Sequence, residues 1–190
     1  MKRLRFWTPL LLTLLVISLP AIAQTSSCPL KIQELPELRG FKLGMTIIQL
    51  KQRYPKLFEE YEFKPDANGY IELDLTGYYD SPLSKFMNET ERKGLDGMKL
   101  AFLDNRLVRV RMVYKEVVEW ESVDQFLNSI VRNLKLPEAA RWKTTGERTR
   151  QLDCAGASIE VRLDPRVGHT PQAPSIALVQ QGIDDVLRER

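Results

Sequence analysis

Apolar side chains recur near the start of the ordered part of the chain with the spacing of a helix. Ile47, Leu50 and Tyr54 lie three and then four positions apart, so they share one helical face. Thr46 precedes this face and Gln49 follows Thr46 by three residues, which is the arrangement of a capping box. Pro55 then favours an end to the helix. The pattern predicts a short amphipathic helix over residues 46–54.

A second helix is predicted after residue 122. Its apolar stripe is Val123, Phe126, Leu127, Ile130, Val131 and Leu134. Ser122 is a suitable N-cap, with Gln125 three residues later, and Pro137 follows the helix end. Thr46 and Ser122 lie 76 positions apart and open similar five-residue patterns. This likeness is consistent with a tandem duplication, although capped amphipathic helices also resemble one another by chance.

Alternating apolar and polar residues predict six strands. Residues 70–76 place Ile71, Leu73 and Leu75 on one face. Residues 98–103 and 107–114 flank a turn at residues 104–106 and predict a hairpin. Its inward row is expected to contain Met98, Leu100, Phe102, Val108, Val110 and Met112. Residues 148–154, 158–163 and 175–179 predict three further strands, and 183–187 a last helical turn.

The order helix, three strands, helix, three strands predicts an α+β fold. We expect two units, each a helix packed on a three-stranded antiparallel sheet, over residues 41–118 and 119–190 of one compact domain. Residues 24–40 carry few structural signals and are interpreted as an arm, and residues 77–96 as a long surface loop. The expected core includes Leu50, Leu73, Leu100, Phe102, Val110, Phe126, Ile130, Ile159, Val161 and Leu178.

The first 23 residues have the three parts of a secretory signal peptide. Lys2, Arg3 and Arg5 precede an apolar stretch, and small residues at 21 and 23 predict cleavage after Ala23. The alternative is a membrane anchor, but a spanning helix needs about 20 apolar residues and this stretch is shorter. The mature chain contains no later stretch long and apolar enough to span a membrane. We therefore expect an exported protein, periplasmic or secreted.

Charge composition argues against nucleic-acid binding. The whole chain has 28 basic and 25 acidic residues, but the leader contains three of the basic ones. The mature chain is therefore balanced, whereas binding to phosphates requires a surplus of Lys and Arg. A single histidine and two cysteines also exclude most His and Cys metal sites. We expect no metal and no cofactor.

The two cysteines, Cys28 and Cys154, both lie in the mature chain. An even number of cysteines in an exported protein favours a disulfide. Two free thiols are one alternative. Lipidation of Cys28 is another, but Thr25, Ser26 and Ser27 precede it, where bacterial lipoproteins usually have an apolar residue three positions before the cysteine.

Residues 43–46, Leu-Gly-Met-Thr, are followed by the amphipathic helix, a strand and a hairpin. This order resembles BamE/SmpA-like small envelope proteins, and the doubled arrangement resembles the β-lactamase inhibitor protein family. The resemblance covers residues 43–114 and implies a non-enzymatic, protein-binding role in the cell envelope. The chain departs from the first family at Pro55, where glycine is frequent, in its long loops, and in having no clear lipidated cysteine.

The residues with chemical potential do not form a recognisable catalytic motif. His169 lies in a polar loop with no nucleophile or carboxylate beside it in the pattern, so we expect it to be an exposed loop residue. Glu72 and Asp74 share the outward face of one strand, which is typical of a solvated sheet face. We expect no catalytic residue and no metal ligand.

The candidate binding residues are two tyrosines and three cations. Tyr78 and Tyr79 lie in the long loop, and tyrosine is enriched at interfaces. Their alternative is local packing over the sheet edge. Lys99, Arg109 and Arg111 form a basic row on the outer face of the hairpin, suited to an acidic partner or lipid headgroups, or to ordinary cross-strand ion pairs. We expect a partner protein of the envelope to bind here; a small-ligand binder and a hydrolase using His169 are the alternatives.

Overall fold

The computed structural model describes residues 28–76, 82–115, 120–164, 173–183 and 185–186. Its helices are α1 (Ile47–Arg53), α2 (Pro55–Glu60), α3 (Glu89–Arg92) and α4 (Val123–Leu134), with short 3-10 turns at Ile32–Glu34, Pro82–Lys85 and Ala139–Arg141. Its strands are β1 (Tyr70–Asp74), β2 (Leu95–Leu103), β3 (Arg106–Tyr114), β4 (Lys143–Gly146), β5 (Thr149–Cys154), β6 (Ala157–Asp164) and β7 (Ala173–Gln180).

The strands form one antiparallel sheet in the order β1-β2-β3-β7-β6-β5-β4. The prediction of two separate helix-plus-three-strand units is therefore wrong. The three N-terminal strands and the four C-terminal strands meet at β3 and β7, where Val110 pairs with Leu178 and Met112 with Ile176. Each of these two strands is apolar on one face, so pairing them satisfies two edges and makes the apolar layer continuous.

Helix α1 begins as the sequence predicts. The Thr46 N–H donates to Gln49 Oε1 over 2.8 Å, and the Gln49 N–H donates to Thr46 Oγ1 over 3.2 Å, which completes the capping box. Pro55 ends α1 but also begins α2, which the sequence analysis missed. Proline is well suited to the first helical position because the N–H it lacks has no partner there.

Helix α4 confirms the second helical prediction. Ser122 Oγ accepts from the Gln125 N–H over 3.2 Å, and the helix ends at Lys135 in a left-handed conformation with φ of 54°. Val123, Phe126, Leu127 and Ile130 are buried against the sheet. All ten residues expected in the core are buried.

The β2–β3 hairpin is confirmed, but one residue faces a different way from the prediction. Asp104 and Asn105 have φ of 49° and 64°, as a two-residue hairpin turn requires. Ala101 pairs with Arg109 whereas Phe102 pairs with Leu107, so Val108 is an extra residue in a bulge. Val108 is displaced from the inward row and packs in a separate cluster with Ala101 and Ile183.

The N-terminal arm is ordered from Cys28 onward, although its sequence carries few structural signals. The Cys28 N–H donates to the Asp153 carbonyl over 3.2 Å, and the Gly44 N–H donates to the Leu107 carbonyl over 2.8 Å. The arm and the residues up to Gly44 therefore run from the end of β5 to the start of β3. Between these points the side chains of Leu35, Leu38 and Phe41 are buried in the core.

The segment expected as a long surface loop also contains structure. Residues 82–96 include a 3-10 turn, the short helix α3 and the beginning of β2. Leu83 and Met87 are buried, and Asn88 caps α3 by accepting from the Glu91 N–H over 2.9 Å. The prediction missed this helix because four residues are too few to show a helical period.

Cys28 and Cys154 form the predicted disulfide, with Cα atoms 4.5 Å apart. Both residues are buried. The bond leaves no thiol on Cys28 for lipidation, and it is consistent with an oxidising, exported location. Across the described part of the chain, no helix has the length and apolarity to cross a membrane.

Candidate functional site

The helices and the arm cover one face of the sheet, and the opposite face carries the polar side chains of every strand. We call this opposite face the charged face. Register places one row across all seven strands, made of Asp74, Lys99, Arg111, Ala177, Glu160, Gln151 and Lys143. Charged or amide side chains occupy six of these positions, and the seventh is a small alanine.

Arg111 and Glu160 form the central ion pair of the row. Arg111 Nη2 lies 2.6 Å from Glu160 Oε1, although one strand, β7 with Ala177, separates β3 from β6 in the hydrogen-bonded order. The Arg111 guanidinium can reach Glu160 because the alanine between the two residues has only a methyl side chain. Both partners are roughly three-quarters buried, at 27% and 21% exposure, so the pair is partly desolvated. Arg162 Nη2 also approaches Glu160 Oε1, at 3.5 Å.

Lys99 forms a second ion pair at the β1 edge, with its Nζ 2.6 Å from Asp74 Oδ2. Burial raises the pKa of Asp74, but hydrogen bonds from Lys99 and Thr76 outweigh this effect, and the pKa of the carboxyl falls below its ordinary value. Lys99 also pairs directly with Arg111 in the register. Two cations in adjacent positions repel each other, and their acidic partners on opposite sides offset that repulsion.

A concavity of about 400 Å³ lies over the middle of the charged face. Its floor includes Ala101, Ser158 and Val179, which are small or short side chains. Longer polar side chains form the walls: Glu72, Lys99, Arg109, Arg111, Gln151 and Glu160. Small residues under long charged ones produce a depression where a flat antiparallel sheet would offer none.

The turn after β7 packs beside this region. Ile183 is buried against Ala101 and Val108, and partly buried Val179, Leu103 and Tyr70 pack around them. The bulge at Val108 therefore serves to turn an apolar side chain toward this turn. This cluster anchors the turn that follows β7 on the charged face.

Beyond the concavity, the charged face continues to the opposite edge. Lys143 Nζ lies 2.7 Å from Asp153 Oδ2, and Gln151 Nε2 donates to Asp153 Oδ1 over 2.7 Å. These two hydrogen bonds lower the pKa of Asp153. Three ion pairs on this face, Lys99–Asp74, Arg111–Glu160 and Lys143–Asp153, thus each join a cation to a carboxylate.

The structure brings three of the five predicted binding residues together. Lys99, Arg109 and Arg111 all line the concavity. Tyr78 and Tyr79 lie outside the described residues, as does His169. Trp142 is buried and donates from Nε1 to the Pro137 carbonyl over 3.1 Å, and the ring centroid of Trp120 lies 5.3 Å from that of Phe126, so both tryptophans pack against the core.

Sequence reasoning missed Glu160, Gln151 and Ser158 as neighbours of these cations. The alternation of residues 158–163 shows that Ser158 and Glu160 face outward. It does not show that they lie near Arg111, because that proximity depends on the pairing of β7 with both β3 and β6. Strand order depends on contacts between residues far apart in the chain, which alternation does not report.

Within the described ranges, no three His, Cys, Asp or Glu side chains are grouped closely enough to hold a metal ion. The Asp74 and Glu160 carboxylates each face a cation, so the charged face is arranged as ion pairs. No protein-family model, curated protein or solved structure matches the chain.

Proposed function

We propose that this protein is an exported, non-enzymatic binding module of the cell envelope that holds a partner protein on its charged face. The observation that carries the proposal is the concavity itself, with Lys99, Arg109 and Arg111 in its walls and small residues in its floor. Three cations on adjacent strands suit carboxylates of a partner. The resemblance of residues 43–46 and the following helix to BamE/SmpA-like proteins agrees with this role.

Export is part of the proposal. Residues 1–23 have the composition of a cleaved signal peptide, and the Cys28–Cys154 disulfide suits an oxidising compartment. Expression with and without these residues, followed by fractionation and mass measurement, tests it. When the full-length chain is expressed, we expect the processed protein in the periplasm or medium, with Gln24 as its first residue.

The charged face is tested by site-specific photocrosslinking in the native host. A photoreactive residue replacing Ser158 reports on the concavity, and one replacing exposed Asn128 on α4 reports on the opposite side of the molecule. We expect crosslinks to a defined partner from position 158 and none from position 128. Equal crosslinking from both positions, or none from position 158, would reject the charged face as the binding surface.

A charge-swapped variant separates binding from folding. The double substitution Arg111→Glu with Glu160→Arg keeps an ion pair between β3 and β6 but moves the cation away from Lys99 and Arg109. Because Arg162 also approaches residue 160, we expect a folded protein with a modest loss of stability, and loss of the crosslink. A crosslink that survives the swap would show that the position of the cation is irrelevant to binding.

A further inference from the structure

A second concavity, unrelated to the charged face, lies on the helix side between the arm and α4. Its volume is about 350 Å³, within the range of small-molecule sites. Leu38 from the arm and Ile130 and Leu134 from α4 supply its apolar surface, and the ring of Tyr114 from the end of β3 contributes to the wall. We call this concavity the arm pocket.

Polar groups of different chemistry meet at the arm pocket. Arg39 and Asn133 reach it from the arm and from α4, and Tyr114 brings a phenol. Burial raises the pKa of Tyr114, with the charge of Arg39 acting in the opposite direction. The phenol therefore remains a protonated donor at neutral pH.

Arg39 is placed there at a backbone cost. Leu38 and Phe41 exchange both backbone hydrogen bonds, at 2.9 and 3.0 Å, so Arg39 and Gly40 are the two central residues of a tight turn. Their φ values are 51° and 88°. Glycine, asparagine and aspartate are the usual residues in such a turn, and arginine is strained. We infer that an arginine is present at this strained position because its side chain is needed at the pocket.

The guanidinium of Arg39 lacks a carboxylate partner within the described part of the chain. Its Nη2 donates to the Lys93 carbonyl over 3.0 Å, which uses one of its five N–H groups. Glu37, the acidic residue that also borders the pocket, has its Oε2 3.6 Å from Arg53 Nη1. The pocket thus combines an apolar surface, a phenol and a cation that has further N–H donors available for a ligand.

We propose that the arm pocket binds a small molecule with an apolar body and a carboxylate. The carboxylate receives hydrogen bonds from Arg39 and the Tyr114 hydroxyl, and the apolar body packs on Leu38, Ile130 and Leu134. Arginine matches carboxylate geometry with two parallel donors, which a neutral or cationic ligand cannot use. This site is independent of the proposed partner surface, because the two lie on opposite faces of the sheet.

Octanoate is the probe, with octylamine and octanol as ligands of the same chain and different head groups. Binding to the full mature protein is measured by calorimetry and by amide shifts in a two-dimensional NMR spectrum. We expect saturable binding of octanoate, shifts at residues 37–39 and 130–134, and much weaker binding of the other two. Octylamine or octanol binding as tightly as octanoate, or shifts centred on the charged face, would overturn the proposal.

Arg39→Gly separates recognition from folding. Glycine is favoured at a positive φ, so we expect the variant to unfold at a temperature close to that of the parent. Its affinity for octanoate should fall at least about tenfold, the loss typical of removing a charge-assisted hydrogen bond. Arg141→Gly, at an exposed arginine outside the pocket, is the matched charge control and should bind normally. Unchanged affinity in Arg39→Gly would remove Arg39 from the site and overturn the proposal.

Discussion

Individual side chains on the charged face are held by local geometry. Ala177 is small enough for Arg111 to reach Glu160 across β7, and Asp74 and Asp153 each accept hydrogen bonds from a lysine and a second donor. Gly97 on β2 has a comparable role, because an added Cβ would lie 2.8 Å from Thr76 Cα. Adding one methyl group at Gly97 would therefore bring it against the backbone of Thr76.

The close approach at Gly97 predicts a steric effect. Gly97→Ala should lower the free energy of unfolding by about 1–3 kcal/mol, because the backbone at Thr76 must move. Gly146→Ala is the matched strand control, since its nearest neighbour would lie 3.6 Å from the new Cβ. Urea unfolding measures both. Equal effects of the two substitutions would contradict the contact at Thr76.

The lowered pKa values of Asp74 and Asp153 predict a pH dependence. Both carboxyls have an ordinary value of 3.8 and a lower one in the folded protein. Their ion pairs therefore stabilise the fold above about pH 4 and lose this effect as the pH falls through the lowered folded values. Asp153→Asn should reduce stability at pH 6 by less than about 1 kcal/mol, because the pair is near the surface. It should also flatten the decline of stability below pH 4.

Unfolding curves at a series of pH values check this prediction. Asp96→Asn removes an exposed carboxylate from β2 and is the control. A steeper acid-induced decline in Asp153→Asn than in the parent would reverse the sign and refute the assignment.

At the scale of elements, caps and ion pairs place the helices on the sheet. Ser122 caps α4, and Asp124 in its first turn accepts from Arg150 Nε and Nη2 over 2.7 and 2.9 Å. This bidentate contact joins α4 to β5 beside the apolar contacts of Phe126 and Ile130. Because Asp124 also lies near the positive end of the helix dipole, the same carboxylate stabilises the helix and its position.

The cap of α4 predicts a measurable loss. Ser122→Ala should lower the free energy of unfolding by about 1 kcal/mol, since the Gln125 N–H loses its acceptor. Asn128→Ala changes an exposed position within the same helix and should be neutral or slightly stabilising. Thermal unfolding of the two variants gives the comparison. A Ser122→Ala protein as stable as the parent would mean that the cap contributes nothing.

For the whole molecule, the arm and the disulfide hold distant parts of the chain together. The disulfide spans 126 positions and ties the start of the arm to the end of β5. The arm and the residues that follow it then contribute Leu35, Leu38 and Phe41 to the core between β5 and β3. The stability of the arm and that of the sheet are therefore linked.

Replacing both cysteines with serine tests this link. A loop of this length predicts a loss of about 4–5 kcal/mol by the chain-entropy model. We also expect hydrogen exchange, measured by mass spectrometry, to increase over that of the parent more at residues 28–43 than elsewhere. Reduction of the parent should give the same result. Uniform exchange along the chain would show that the disulfide does not act through the arm.

The continuous sheet predicts that the two parts of the chain do not fold alone. Fragments 24–118 and 119–190 would each expose one long strand, β3 or β7, that is paired in the whole protein. We expect each fragment to aggregate or remain unfolded and the mixture to regain structure, as followed by circular dichroism. A soluble, cooperatively unfolding 24–118 fragment would contradict this expectation.

Local patterns determined much of this protein. The helical spacing and the caps Thr46 and Ser122 identified the two main helices. Alternation, as around Leu100 and Val110, identified six strands and the buried residues. The hydroxyl, turn and alternation signals were sufficient there because caps and strand faces depend on residues close in sequence. The same signals missed α2, α3 and β4, which are too short for a period to emerge.

Only the tertiary structure decided how the strands are ordered and what lies on the face that they share. The pairing of β3 with β7 places Arg111 beside Glu160, and the path of the arm places Arg39 beside Tyr114 and α4. Each of these arrangements joins residues tens of positions apart. Their partners are selected by the burial of one continuous apolar layer, which the periodicity of any single segment does not contain.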